Sequence, residues 1–309
     1  MNRVIFIVLL VILAVAAISL TTFVSFNPGP ETTFQIKPDE NTVLFGVTPW
    51  GDPRQVKEAY KPLLEYLSQR TGKKFQLLVM EDYEVAIENI VEGNIDISII
   101  SPVCYVRAKE REPGIQYIST IMRDNGSHRL DATFKGHLVA LKSRFDGWSF
   151  EDFLKNSKKY NFAFVTKASA SGWAYPMAMM KKNGIDPYSA FKSVAIFENH
   201  PSMTDAIAAG KLDLGATWEY NLEKARGKHG DIFSIIHTTH NIPGLSWVAS
   251  KKVNHEFVKK IFQIQMELNS DSSQRELLLK DTPDKGWMAI GQEYYDEVEE
   301  VMKYVGEFK

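Results

Sequence analysis

From residue 42 onward the chain alternates short apolar runs with amphipathic stretches of helical period. Residues 42–45 are strand-like and stop at Gly46. Val56, Ala59, Tyr60, Leu63, Leu64 and Leu67 then recur at the spacing of one helix face, and Gly72 ends the run. Residues 75–80 predict a strand, 83–92 a helix closed by Gly93, and 95–100 a second apolar strand. Strand–helix alternation of this kind predicts parallel pairing with helices on the sheet faces.

Residues 115–122 and 134–141 read as further strands, and Ser149 with Asp152 three positions on forms a capping-box pattern. The alternation then restarts. A strand at 162–165 leads into Ser169-Ala170-Ser171-Gly172 and a helix at 173–182 closed by Gly184. A strand at 194–197, a helix ending at Gly210 and a strand at 212–217 follow, then strands at 232–236 and 246–249. Helices at 254–268 and 292–304 close the chain. Two successive α/β units without a sequence repeat predict two lobes: 42–135 with 246–309, and 136–245.

The 309 residues carry a net charge of −2, with no basic block of the kind that grips nucleic acid. The single cysteine, Cys104, excludes an internal disulfide framework and sits in an apolar stretch as a small hydrophobe. At the N-terminus Met1-Asn2-Arg3 precedes an uncharged run over 4–26, with Ala14-Val15-Ala16 as a small-x-small cleavage pattern. This predicts export. Removal of the segment and its retention as a membrane anchor both fit, since the run is long enough to span a bilayer. Residues 27–41, with three prolines, read as a linker.

The candidate chemistry concentrates at the serine-rich turn. Two hydroxyls and a glycine at a helix start aim O–H and free backbone N–H groups at one point, with the positive helix end behind them. That suits a tetrahedral oxyanion; an ordinary serine N-cap is the plainer alternative. Other chemistries lack support. His237 and His240 have no carboxylate or cysteine partner nearby, so no metal site or cofactor is expected. Gly-x-Ser-x-Gly around Ser169 and Ser171, Walker A and Gly-x-Gly-x-x-Gly patterns are absent, which leaves nucleotide and dinucleotide readings, and an enzyme on the same fold, without support.

The order of several short motifs is similar to the phosphate, phosphite and phosphonate-binding proteins of ABC importers. The motifs are Ser169-Ala170-Ser171-Gly172, Asn183-Gly184-Ile185-Asp186-Pro187, Glu198-Asn199-His200 and Leu212-Asp213-Leu214-Gly215-Ala216. In the first half Phe45-Gly46-Val47, Asp82-Tyr83, Gly93-Asn94-Ile95-Asp96-Ile97 and Ser101-Pro102 agree, and the match runs over about 42–268. The resemblance implies a type II periplasmic binding protein fold, in which two α/β lobes close over a ligand.

It also implies roles. Ser169, Ala170 and Ser171 match a Ser-Thr-Ser turn that holds phosphoryl oxygens, with Ala170 replacing the threonine and removing one hydroxyl donor. His200 matches a pocket histidine and Tyr83 an anion-contacting tyrosine. Ser101, at the carboxyl end of a strand, and Tyr105, one helical turn later, are further ligand candidates, as are Trp50, Tyr220 and Glu219. Relatives that take aminoalkylphosphonates carry acidic residues at positions aligned here with Tyr220 and Gly244, neither acidic, although Glu219 is adjacent. A small oxyanion without an amino group is therefore expected.

The function so implied is capture of phosphate, phosphite or a simple phosphonate outside the cytoplasmic membrane, by a non-enzymatic monomer, for an ABC permease. Membrane contact would come only through the N-terminal segment. The alternative is a membrane-tethered sensor of the same fold that signals to a kinase.

Overall fold

A computed structural model describes residues 39–48, 50, 52–124 and 130–306. The expected export segment and the linker up to residue 38 lie outside the described residues. The first sheet is laid down by β1 (Thr42–Val47), α1 (Pro53–Thr71), β2 (Lys74–Val79), α2 (Tyr83–Glu92), β3 (Ile97–Ile100), α3 (Pro102–Arg111) and β4 (Gln116–Asp124). After β5 (Leu130–Asp131), β6 (Thr133–Leu141) enters a second sheet, followed by α4 (Phe150–Lys155) and β7 (Asn161–Val165). Then come α5 (Tyr175–Lys182), β8 (Ser193–Phe197), α6 (His200–Ala208), β9 (Leu214–Trp218), α7 (Glu219–His229) and β10 (Phe233–Pro243). The chain returns to the first sheet with β11 (Ser246–Ala249), α8 (His255–Ser270), α9 (Ser272–Leu279), β12 (Gly286–Met288) and α10 (Asp296–Val305).

The strand orders are β12-β4-β11-β3-β1-β2, with β5 beside β4, and β10-β6-β9-β7-β8. Pairing is parallel within each α/β unit (β1 with β2 and β3, β7 with β8 and β9), as the alternation predicts. The crossing strands are antiparallel: β6 to β9 and β10, and β11 to β3 and β4. Each parallel sheet thus points the carboxyl ends of its strands, and the loops that follow them, at a common edge.

Local chemistry explains the elements. Asp52 caps α1 by accepting from the N–H of Arg54 at 2.9 Å, Pro53 presets the first turn, and Gly72 ends the helix at φ 76°. Its apolar stripe and that of α8 cover one face of the first sheet, around Leu63, Leu67, Trp247, Ile261 and Ile264. Each such fully buried side chain contributes about 1.5–3 kcal/mol. Met203 and Ile207 of α6 cover the second sheet over Val139 and Val165.

The sequence expectation did not include β5, α9 or β12, and three further departures have a clear physical reason. The strand expected at 232–236 continues to Pro243, because pairing with β6 carries it through polar His237–Asn241 by way of register shifts. Helix α7 was invisible because it buries only Asn221, Leu222 and Ala225, too narrow a stripe to show a helical period. Helix α3 buries Pro102 to Val106 without a break, a run that shows no period at all. The closing helix α10 lies against both α3 and α5, and Lys181 Nζ donates to the carbonyl of Val305 at 2.9 Å. It therefore touches helices of both lobes. Among the described residues no helix is long and apolar enough to cross a membrane.

Candidate ligand-binding site

The serine-rich turn lies at the carboxyl end of β7. Ser169 is the N-cap: its Oγ accepts the N–H of Gly172 at 3.0 Å, and its carbonyl accepts from Trp173 and Ala174 at 3.0 and 3.1 Å. The double acceptance opens the backbone into a wide π turn over Ala170–Ala174 that continues into α5. Among the described residues no acceptor takes the N–H groups of Ala170 or Ser171. The Ser171 side chain, though buried, has no hydrogen-bond partner among them either. Gly172 is required for space rather than for its backbone angles. A Cβ there would lie 2.6 Å from Val165 Cβ, 2.8 Å from Ser169 Oγ and 3.0 Å from His200 Cε1.

His200 opens α6, which Asn199 caps by accepting the N–H of Ser202 at 2.9 Å. Its Nε2 lies 3.2 Å from Ser169 Oγ and its Nδ1 3.1 Å from Thr217 Oγ1. Asn221 Nδ2 donates to the same threonine oxygen at 3.0 Å. Thr217 Oγ1 accepts from Asn221 and keeps a second lone pair and its own proton, so it pairs with Nδ1 in either tautomer. Ser169 Oγ accepts from Gly172 and shares one hydrogen bond with His200 Nε2. Burial pushes the His200 pKa down to about 3, so the ring is neutral at physiological pH.

The cavity beside this turn has a volume of about 40 Å³ and is lined from both lobes. Ser169, Ala170, Ser171, His200 and Trp218 face Thr48, Trp50, Tyr83, Ser101 and Arg123 across it, with Phe134 and Leu245 at the crossings between the lobes. Since one water needs roughly 10–15 Å³ on this measure, the space admits about three water-sized groups. Tyr83 is buried, and burial raises its phenol well above the ordinary range, with Ser169 partly offsetting the shift. It stays a neutral O–H donor.

Ser101 caps α3 by accepting the N–H of Cys104 at 3.1 Å, and donates its proton to the carbonyl of Ala168 at 3.0 Å. That proton is committed to a bond between the lobes, so Ser101 lines the cavity without a donor for an anion. Trp50 meets Tyr220 edge to face with ring centroids 5.9 Å apart. Both also line a larger neighbouring pocket of about 550 Å³ at the cleft mouth.

Three candidates fall outside the cavity. Tyr105 stacks edge-on with Tyr295 at 4.8 Å, within the packing under α10. Tyr220 reaches only the outer pocket. Glu219 starts α7 without lining either space, and burial raises its carboxyl pKa while Arg123 lowers it. Among the described residues no cluster of three or more histidine, cysteine or acidic side chains is placed to hold a metal.

Arg123 is the cavity residue that sequence reasoning missed. It is 6% exposed, with its guanidinium 4.5 Å from the Trp218 ring centroid and 5.6 Å from that of Phe134. Its Nη2 lies 3.4 Å from Asp284 Oδ1, while Oδ2 of that carboxylate accepts from Tyr60 at 2.6 Å. The signal was an arginine two and four positions from Ile121 and Ser119, in phase with the buried face of a strand.

The family model of the periplasmic substrate-binding protein of phosphonate ABC transporters matches residues 45–295. The chain is 24% identical over 230 residues to the phosphate-import protein PhnD of Mycolicibacterium smegmatis, covering 71% of this chain and 70% of that protein. Among solved structures it is similar to a binding component of an ABC phosphonate transporter from Pseudomonas aeruginosa. The TM-score is 0.76 at 20% identity, over 85% of this chain and 86% of that one. It is equally similar to PhnD1 of Prochlorococcus marinus, solved with methylphosphonate, with a TM-score of 0.76 at 19% identity over 87% and 99% of the two chains. With most of its length matched and two α/β lobes meeting over a donor-lined cavity, the chain belongs to the periplasmic substrate-binding proteins of phosphonate ABC transporters.

Proposed function

We propose that the protein captures a small phosphorus oxyanion (phosphate, phosphite or a simple phosphonate) outside the cytoplasm and presents it to the membrane subunits of an ABC importer. The observation that carries this is the convergence of unspent donors on one small cavity. The O–H groups of Ser171 and Tyr83 and the N–H groups of Ala170 and Ser171 face it, with Ser169, the neutral His200 and a helix start behind. Tetrahedral oxyanions present acceptors in all directions, which such a ring of donors satisfies. The names of the M. smegmatis and P. marinus relatives point to the same ligand class.

The lobes in this reading are 42–135 with 246–309, and 136–245, and the ligand stabilises their closed arrangement through contacts to both. The protein acts as an exported monomer, and any membrane contact is through its N-terminal segment. It needs no cofactor and performs no chemistry. His200 sits beside Ser169 as a base sits beside a nucleophile, but it is oriented by a threonine rather than a carboxylate, and burial holds its pKa well below the range of a general base. Ala170 leaves one hydroxyl fewer than in the related Ser-Thr-Ser turn, which weakens binding by about 0.5–1.5 kcal/mol.

The test is a thermal-shift panel on protein freed of ligand, with phosphate, phosphite, methylphosphonate, 2-aminoethylphosphonate and sulfate. A ligand at a hundred times its Kd adds about 2.7 kcal/mol, or a Tm rise of roughly 5–10 °C for a chain of this size. A rise with a phosphorus oxyanion that disappears in Ser171→Ala/His200→Ala supports the reading. No rise with any of the five, in folded protein, refutes it.

A further inference from the structure

Arg123 is poorly compensated for so buried a cation. Among the described residues its one carboxylate partner, Asp284, is at the long distance of 3.4 Å and shares its charge with Tyr60. The Nε and Nη1 groups are closed off from solvent and have no hydrogen-bond partner among those residues. Buried guanidinium N–H groups are ordinarily paired, because leaving one unpaired forfeits its hydration without return. Arg123 also lines the cavity, between Phe134 and Trp218, which line it too. The missing acceptors must therefore come from whatever occupies that space.

Besides Arg123, Trp50 and Trp218, the polar side chains lining the cavity are neutral: the hydroxyls of Thr48, Ser101, Ser169, Ser171 and Tyr83 and the buried imidazole of His200. The charged groups facing Arg123 are Asp284 from the loop before β12, held by Tyr60 of α1, and Glu219 from the start of α7. Neither carboxylate lines the cavity, so neither can accept a proton from a ligand there.

We propose that Arg123 is a ligand-contacting residue whose full charge, in a cavity that no carboxylate lines, makes the site favour the fully deprotonated dianion. A singly protonated oxyanion forfeits about half its attraction to the guanidinium. Asp284 acts as a positioning residue that holds Arg123 in place. This rests on the phosphorus-oxyanion reading above and specifies the protonation state taken.

The experiment is isothermal titration of the full chain with inorganic phosphate and with methylphosphonate, each across the ligand's own second ionisation. Below that ionisation the affinity is expected to fall by up to about tenfold per pH unit, and above it to level off. Arg123→Met weakens binding by about 10–150-fold, the loss of one or more charge-assisted hydrogen bonds, and flattens the pH slope. Because Arg123→Met leaves Asp284 buried and unpaired, Arg123→Met/Asp284→Asn keeps the site neutral, and its fold is checked by tryptophan fluorescence. Loss of affinity and slope in the double variant supports the proposal. Wild-type binding that ignores the ligand's ionisation, or a double variant that binds as wild type does, overturns it and leaves the oxyanion function standing. If neither ligand binds at any pH, the functional reading itself fails.

Discussion

Gly172→Ala tests whether the anion cradle depends on one hydrogen atom. The added methyl would lie 2.6 Å from Val165 Cβ, a strand atom that cannot swing away, and 2.8 Å from Ser169 Oγ. Overpacking of this kind costs about 1–3 kcal/mol. If Ser169 is pushed off the N–H of Gly172, the lost cap adds about 1 kcal/mol. The sum, about 2–4 kcal/mol, corresponds to a fall in Tm of roughly 5–15 °C for a chain of this length. Affinity falls as well, because Ser169 and His200 Cε1 both face the new methyl, and loss of one or two directed hydrogen bonds weakens Kd by roughly 10–100-fold. Calorimetric unfolding and titration with phosphate or methylphosphonate read the two effects.

Gly184→Ala is the matched control. Gly184 sits at φ 72° with nothing within 4 Å of the place a methyl would take, so only backbone strain of about 1–2 kcal/mol is added. Stability drops modestly and affinity stays at wild type. A Gly172→Ala protein that keeps both its Tm and its affinity would refute the close-packing argument.

Ser101→Ala removes the bond to Ala168 and the cap of α3; Tm falls by a few degrees for about 0.5–2 kcal/mol, and Kd rises several-fold in titration calorimetry. An unchanged Kd would show that the inter-lobe bond does not contribute to closure. His200 lies well below its ordinary pKa in the folded protein, so unfolding takes up a proton as the pH drops below about 6.5. Its contribution to stability is lost at about 1.4 kcal/mol per pH unit until pH falls to about 3. His200→Asn should flatten the denaturant-measured stability profile by that slope over this window, and identical profiles would contradict neutral burial. Burial pushes the Cys104 thiol up to about 12, so a thiol-reactive chromophore should label it only on unfolding; rapid labelling of native protein would refute its enclosure.

Much of the fold was legible because its helices carry wide apolar stripes and glycine stops, as at Val56 to Gly72. The elements that escaped lack that contrast. Helix α7 shows a polar surface, α3 an unbroken apolar run, and β10 a polar tail sustained by its partner strand. At the site, the turn at 169–172 and His200 stood out through the order and spacing of the surrounding motifs, since a serine at a helix start is by itself an ordinary cap, which Ser169 also is. Arg123 could not be read in the same way. Its burial depends on Asp284, Trp218 and Phe134, which are remote in sequence and brought together by the crossing strands. Tyr105 misled for the opposite reason: it follows Ser101 by one helical turn, but points into the packing with Tyr295.

The cavity's 40 Å³ has a bearing on how the protein tells ligands apart. On the proposed reading the serine turn and His200, which belong to one lobe, would take an anion while the cleft is open, and only an occupant small enough to let Ser101 reach Ala168 would let the lobes meet. Size would thus be converted into conformation. A bulky organophosphonate would behave as a competitor that occupies the cradle and holds the jaws apart, detectable by small-angle scattering as a bound yet open form.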